Sequence, residues 1–201
     1  LLPELKRSGC LFITSAVEAV DDEILRILEK NHTSRDFDRA VALTRKAGIA
    51  LAPTFVAFTP WTTLEGYIAL LERLVVLRLV ESVPPVQLTI RLLVPEGSYL
   101  LKLLGFREKL MAFDPGLLGY PWVHPDPRVD RLQQDLQSRV ARAEAEGLAR
   151  GEVFSAIWRL AHEAAGRLAP NLAGNLGSPI PHLSEAWYCC AEPTDQQLQS
   201  F

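Results

Sequence analysis

Residues Gly9 to Ile49 constrain the fold more than any other stretch of the chain. Leu11 to Val17 is a short run rich in β-branched and aromatic residues and reads as a buried strand. It ends at an acid, Glu18, followed by a polar turn at Asp21 and Asp22. Ile24, Leu25, Ile27 and Leu28 then mark the apolar face of a helix. Ser34, a favoured N-cap, opens a second helix, and Gly48 closes it in the left-handed conformation that ends helices. Ile49 to Phe58 is a second apolar run. Strand, helix and strand at this spacing make a crossover unit, which requires parallel strands and a right-handed connection. In parallel α/β sheets and barrels, ligands sit beyond the carboxyl ends of the strands. Glu18 and the loop Thr59 to Thr63 both fall there.

The α/β pattern continues. Leu1 to Arg7 reads as the end of a helix before the first strand. Pro53 is awkward inside a central strand and implies a bulge or an early start. Thr62 or Thr63 caps a long helix from Leu64 to about Val80, which Val83-Pro84-Pro85 breaks. Val86 to Val94 alternates as a third strand, with Gln87, Thr89 and Arg91 on one side and Leu88, Ile90 and Leu92 on the other. Proline and aromatic residues crowd the loops from Phe113 to Pro127, the composition of a domain joint. Residues 1–105 therefore read as one unit and 106–201 as a second. Two helices follow, about Arg128 to Gly147 and about Glu152 to Leu168. The first is polar apart from a narrow stripe at Val129, Leu132, Leu136 and Val140. From Pro170 the chain is irregular.

Composition excludes several classes. Hydrophobic residues make up 48% and charged residues 22%, enough apolar material for a sizeable core. A net charge of -3 gives no electrostatic footprint for nucleic acid. No apolar run is long enough to span a bilayer, and no signal-peptide pattern is present. Three cysteines, two of them adjacent, do not form a secretory disulfide framework, so a reducing cytoplasm is the expected location. The chain starts at Leu1 and enters a strand almost at once. A three-stranded parallel sheet leaves an open edge and an unburied face. The expectation is the carboxyl-terminal part of a longer protein.

Chemistry-bearing residues are few. Glu18 at a strand terminus can accept hydrogen bonds from hydroxyls or an ammonium, or merely cap the next helix. Arg91 can clamp a carboxylate through both nitrogens, or pair with an upstream acid. Cys189 and Cys190 can bind a soft metal or act as a redox pair, with Glu192 as an adjacent base, or lie inert in a docking tail. Cys10 reads as simply buried. The four histidines show no zinc spacing, and His162-Glu163 reads as surface.

Two segments carry a resemblance. AVEAVDDEIL, Ala16 to Leu25, followed by LEKNHTSRDFDRAVALTRKAGI, resembles the fourth-strand region of the radical S-adenosylmethionine enzymes, which typically reads G-V-E-S-G-S-D-E-V-L, a lysine-containing turn and a helix ending in A-G-I. The tail WYCCAEP, Trp187 to Pro193, is similar to the ending of the CUAEP/CCAEP-tail subgroup. Ala16, Ala19 and Val20 depart from the family's glycine, serine and glycine.

The resemblance implies strands four to six of a partial (β/α)6 TIM-like barrel, a helical extension and an irregular tail. It implies S-adenosylmethionine and a [4Fe-4S] cluster that cleaves it reductively to a 5′-deoxyadenosyl radical. No C-x-x-x-C-x-x-C occurs here, so the cluster cysteines are expected upstream and the chain alone is expected to be inert. Glu18, Thr59 and Arg91 are the expected cofactor-binding residues, and Cys189 and Cys190 the catalytic ones. Implied partners are the chain's own upstream barrel half, an unidentified substrate and an electron donor such as ferredoxin or flavodoxin. The competing expectation is a non-catalytic (β/α) module whose tail serves protein interaction or soft-metal binding.

Overall fold

The computed structural model describes residues 1–172 and 174–180. After a short helix α1 (Leu2–Arg7) with no buried residue, strand β1 (Phe12–Glu18) leads into α2 (Asp22–Ile27) and α3 (Ser34–Lys46). Strand β2 (Ala50–Phe55) follows and pairs with β1 in parallel, Phe12 opposite Ala50 and Ala16 opposite Thr54. Helix α4 (Leu64–Val76) lies after it, and α5 (Pro127–Ala145) and α6 (Arg150–Ala164) close the described chain. The fold is mixed α/β with a small two-stranded parallel sheet and six α-helices among the described residues. None of those helices is long and apolar enough to cross a membrane.

Local chemistry explains most boundaries. Thr33, one residue before the expected cap, is the N-cap of α3; its hydroxyl and the Asp36 carboxylate form a reciprocal capping box. Gly48, at φ 68°, ends that helix as its sequence implies. Helix α4 stops at Val76, short of Val80. Arg78 takes the left-handed position at φ 55°, and the N–H groups of Arg78 and Leu79 return to the carbonyls of Val75 and Leu74. This is the hydrogen-bond pattern of a glycine-terminated helix without the glycine, so the sequence carries no stop signal.

Pro53 is accommodated in β2 by parity. The N–H of Ala50 donates to Leu11, just before β1, and that of Val56 to Glu18 at its end, so residues of that parity face β1 and Pro53 does not. Its missing donor falls on the opposite edge.

That opposite edge is where the expected third strand fails. Pro85–Leu88 is a 3-10 turn, started by the fixed backbone of Pro84 and Pro85. Only a single parallel bridge survives, Phe58 with Arg91, in which Phe58 N–H donates to Ile90 and Leu92 N–H donates to Phe58. The buried Gln87 side chain stands in for the absent strand by accepting the Phe55 N–H at 3.1 Å. Alternation in this segment arose from a tight turn, not a pleat.

The main core joins the first strand to the last described helix. Val17, Leu51 and Phe55 of the sheet, Phe37 and Val41 of α3, and Leu71 and Leu74 of α4 share one buried cluster with Leu136 of α5 and Ile157 of α6. Leu71, Leu74, Leu136 and Ile157 have no exposed surface. Along α5 the buried apolar residues are Val129, Leu132, Leu136, Val140 and Ala143, the narrow stripe read from the sequence. His162, expected at the surface, is only 3% exposed. Its Nδ1–H donates to the Trp158 carbonyl one turn earlier and its ring packs 4.4 Å from the Trp158 ring, so α6 buries it on the same face.

Among the described residues, helices cover one sheet face. Val17 and the partly buried Ile13 of β1, with Leu51 and Phe55 of β2, pack toward α3 and α4. The alternate residues are Phe12, Thr14 and Ala16 of β1 and Ala50, Ala52 and Thr54 of β2; Thr14 and Ala16 are exposed, and Phe12, Ala52 and Thr54 are half-buried. A packed barrel interior is built from bulky branched residues. This face instead carries mostly small residues, with Phe12 at its amino end.

Candidate functional site

At the carboxyl end of β1 the backbone turns through an unusual conformation. The register slips between Ala16 and Glu18, leaving Val17 as a bulge. Ala19 N–H donates to the Val17 carbonyl at 2.8 Å across Glu18, which sits at φ 68°. A three-residue turn with a positive central φ is rare and strained for any residue with a side chain. Here the strained residue is also a carboxylate, and it is 7% exposed. Strain of this kind, of order 1–3 kcal/mol, persists only where surrounding contacts hold it, and it concentrates at functional sites.

Two contacts hold Glu18 and a third holds Val17 beside it. Its carbonyl accepts the Val56 N–H at 2.9 Å, tying the turn to the chain leaving β2. Lys30 Nζ donates to Glu18 Oε1 at 2.9 Å. His32 donates through its ring to the Val17 carbonyl at 3.0 Å. Lys30 and His32 both come from the turn between α2 and α3. The end of β1 is thus clasped by the connection that follows it. The sequence placed Glu18 at a strand end, but not the lysine and histidine that fasten this turn.

Thr59 is fully buried. Its hydroxyl lies 2.9 Å from the Thr62 hydroxyl, and its N–H donates to Thr62 Oγ1 at 3.0 Å. Its side chain is spent on shaping the loop. Thr63 is the cap of α4, accepting the Gly66 N–H at 2.9 Å. Phe58, also without exposed surface, stacks on Tyr67 at 4.7 Å between ring centres and forms wall, not pocket. The Tyr67 hydroxyl donates to the Leu88 carbonyl, and complete burial raises its pKa well above the usual phenol value.

Arg91 lies on the bridge segment and binds residues downstream of it. Its guanidinium donates to Asp130 Oδ1 at 2.7 Å and to the Trp122 carbonyl, and lies over the Trp122 ring. The second Asp130 oxygen accepts the His124 N–H at 2.9 Å. These contacts fasten the proline-rich loop and the start of α5 to the sheet. His124 itself is buried, and its Nε2 has no hydrogen-bond partner among the described residues.

Glu18 and the loop starting at Thr59 are therefore brought to the same end of the sheet, and Arg91 is one bridge away. Cys189 and Cys190 lie outside the described residues. Cys10 is half-buried just ahead of β1, with its Sγ 3.4 Å from the Phe12 carbonyl. Residues 175–180 run beside Gly48 to Leu51 and Arg78 to Ser82, at the amino end of β2. Gly177 approaches the Arg78 carbonyl so closely that a Cβ would stand 2.4 Å from its oxygen.

What the site can do follows from its donors and acceptors. A buried carboxylate at a strand end, backed by one lysine, retains acceptor capacity for an ammonium or a pair of hydroxyls. The chain's cysteines at positions 10, 189 and 190 do not make the three-thiol loop that a [4Fe-4S] cluster requires. Comparison with protein-family models, with curated proteins and with solved structures finds no match for this chain.

Proposed function

We propose that this chain is the cofactor-holding carboxyl-terminal part of a radical S-adenosylmethionine enzyme of the cytoplasm. The observation that carries the reading is Glu18: strained, buried and held by Lys30 at the carboxyl end of a parallel strand. It coincides with the acid of the Ala16–Leu25 segment that resembles the family, and Lys30 falls in the turn where the family keeps a lysine. The WYCCAEP tail is a second, independent point of resemblance.

Within this reading, β1 and β2 are consecutive strands of a (β/α)6 barrel. The outer edge of β1 takes the next strand from the upstream half, whose cysteines hold the cluster. Cluster and cofactor, when bound together, supply a primary carbon radical. Glu18 accepts hydrogen bonds from the cofactor's ammonium or ribose hydroxyls, and Lys30 fixes the carboxylate's direction. Thr14, Ala16, Ala52 and Thr54 leave room for the cofactor in the lumen. The Thr59–Thr63 loop walls the mouth and keeps water from a reactive centre. Arg91 positions the loop that leads to α5. Cys189 and Cys190 act at the substrate, and a ferredoxin or flavodoxin supplies the electron.

Anaerobic reconstitution of the complete gene product with iron and sulfide tests the reading. Cluster absorbance with reductant-dependent formation of 5′-deoxyadenosine is expected. A protein that takes up no cluster and releases no 5′-deoxyadenosine is instead a non-catalytic module.

A further inference from the structure

A hollow of about 440 Å³ opens above the carboxyl ends of the parallel segments. Three successive connections build it: Ile27 after β1, Trp61 after β2, and Leu103 to Phe106 after the Phe58–Arg91 bridge. This convergence is where α/β folds place small-molecule sites, and the volume lies within their usual range of roughly 300–1,000 Å³. Trp61 and Phe106 form its floor, their rings stacked 5.2 Å apart. Ile27 and Leu103, both half-buried, line the sides. Leu104 stands at the mouth with its side chain entirely in solvent. Scattered exposed leucines need no explanation, but these large apolar groups face one cavity.

The charges around the hollow are unequal in their freedom. Arg26 is bidentate to Glu23, at 2.5 and 2.8 Å, and so is already neutralised. Glu29 sits by the Tyr99 hydroxyl, whose pKa it raises. Lys109 also lines the hollow and makes no ion pair among the described residues. The site therefore offers an aromatic floor, aliphatic walls and one uncommitted cation.

We infer that this hollow binds an apolar carboxylate: a flat or aliphatic body seated on Trp61 and Phe106, with its single anionic group at Lys109. The hollow adjoins the proposed cofactor position through Trp61 of the Thr59–Thr63 loop, but none of the residues bonded to the Glu18 turn lines it. It would serve equally a substrate or an effector, and the ligand chemistry is the same for both.

The test is titration of the full 201-residue chain with octanoate and, separately, with 1-octanol, followed at the Trp61 indole N–H by NMR. Octanoate should shift that resonance saturably and bind more tightly than octanol. Lys109→Gln should weaken octanoate about five- to tenfold and leave octanol unchanged. Leu104→Asp, at a position with no packing to lose, should weaken both at least about tenfold. Equal affinity of the two probes, no saturable shift at Trp61, or indifference to both substitutions would each overturn the inference.

Discussion

Lys30 reaches back twelve residues to place its ammonium 2.9 Å from a Glu18 oxygen, across the turn that joins α2 to α3. Glu18 is 9% exposed at its side chain and Lys30 37%, so one partner is buried and the other half-solvated. The pair holds a residue whose backbone is itself strained.

Removing the lysine should cost more than removing the acid. Lys30→Met leaves a buried carboxylate without its cation, and a loss of about 1–3 kcal/mol in urea unfolding is expected. Glu18→Gly removes the charge and relieves the positive φ, so it should lose less than Lys30→Met. Equal losses would mean that the turn is not strained.

Gln87 substitutes for a strand that is absent. Gln87→Leu keeps the volume but orphans the buried Phe55 N–H, which should cost about 1–3 kcal/mol. Amide exchange at Phe55 should accelerate more than at Leu51. Unchanged exchange at Phe55 would show that the 3.1 Å contact contributes nothing.

Arg91 is a clasp made by a planar fork, so its charge alone does not reproduce it. Arg91→Lys should lose about 1–2 kcal/mol, because lysine cannot reach Asp130 and the Trp122 carbonyl together while lying flat on the indole ring. Full retention of stability in the lysine variant would contradict this.

Acid should loosen the start of α5. The Arg128 side chain, and then its backbone N–H, hold the Asp126 carboxyl pKa down to about 2. A lowered folded-state value means that the contribution is present above the unfolded value of about 4 and is lost as pH falls through the folded one. Amide exchange at Arg128 and Val129 should therefore rise between about pH 4 and pH 2. Asp126→Asn keeps a capping oxygen and should remove this acid dependence. If exchange in the asparagine variant responds to acid as before, Asp126 is not its source.

How far the sequence could be read depended on whether each signal was local. Gly48 announced the end of α3, and the stripe from Val129 to Val140 announced the buried face of α5, because one residue or one periodicity sufficed. Arg78 ends α4 with no glycine to mark it. Val86 to Val94 alternates like a strand, yet Pro84 and Pro85 had already fixed a tight turn, and Gln87 supplied the missing acceptor by a side chain. His162 carried no sign of burial beyond its place on the face of Trp158 and Ala161. At the candidate site, the position of Glu18 was legible from the strand it terminates. Its positive φ, the reach of Lys30 to its carboxylate and that of His32 to the Val17 carbonyl beside it are tertiary facts that no local pattern encodes.

The most direct measurement is the equilibrium affinity of the complete, reconstituted protein for S-adenosylmethionine, with Glu18 or with glutamine in its place. The account predicts about a tenfold or greater weakening in Glu18→Gln, since a neutral amide cannot replace a charge-assisted acceptor, with the cluster absorbance unchanged. Equal affinity in the two proteins would contradict the assignment of the β1 terminus as the cofactor's contact.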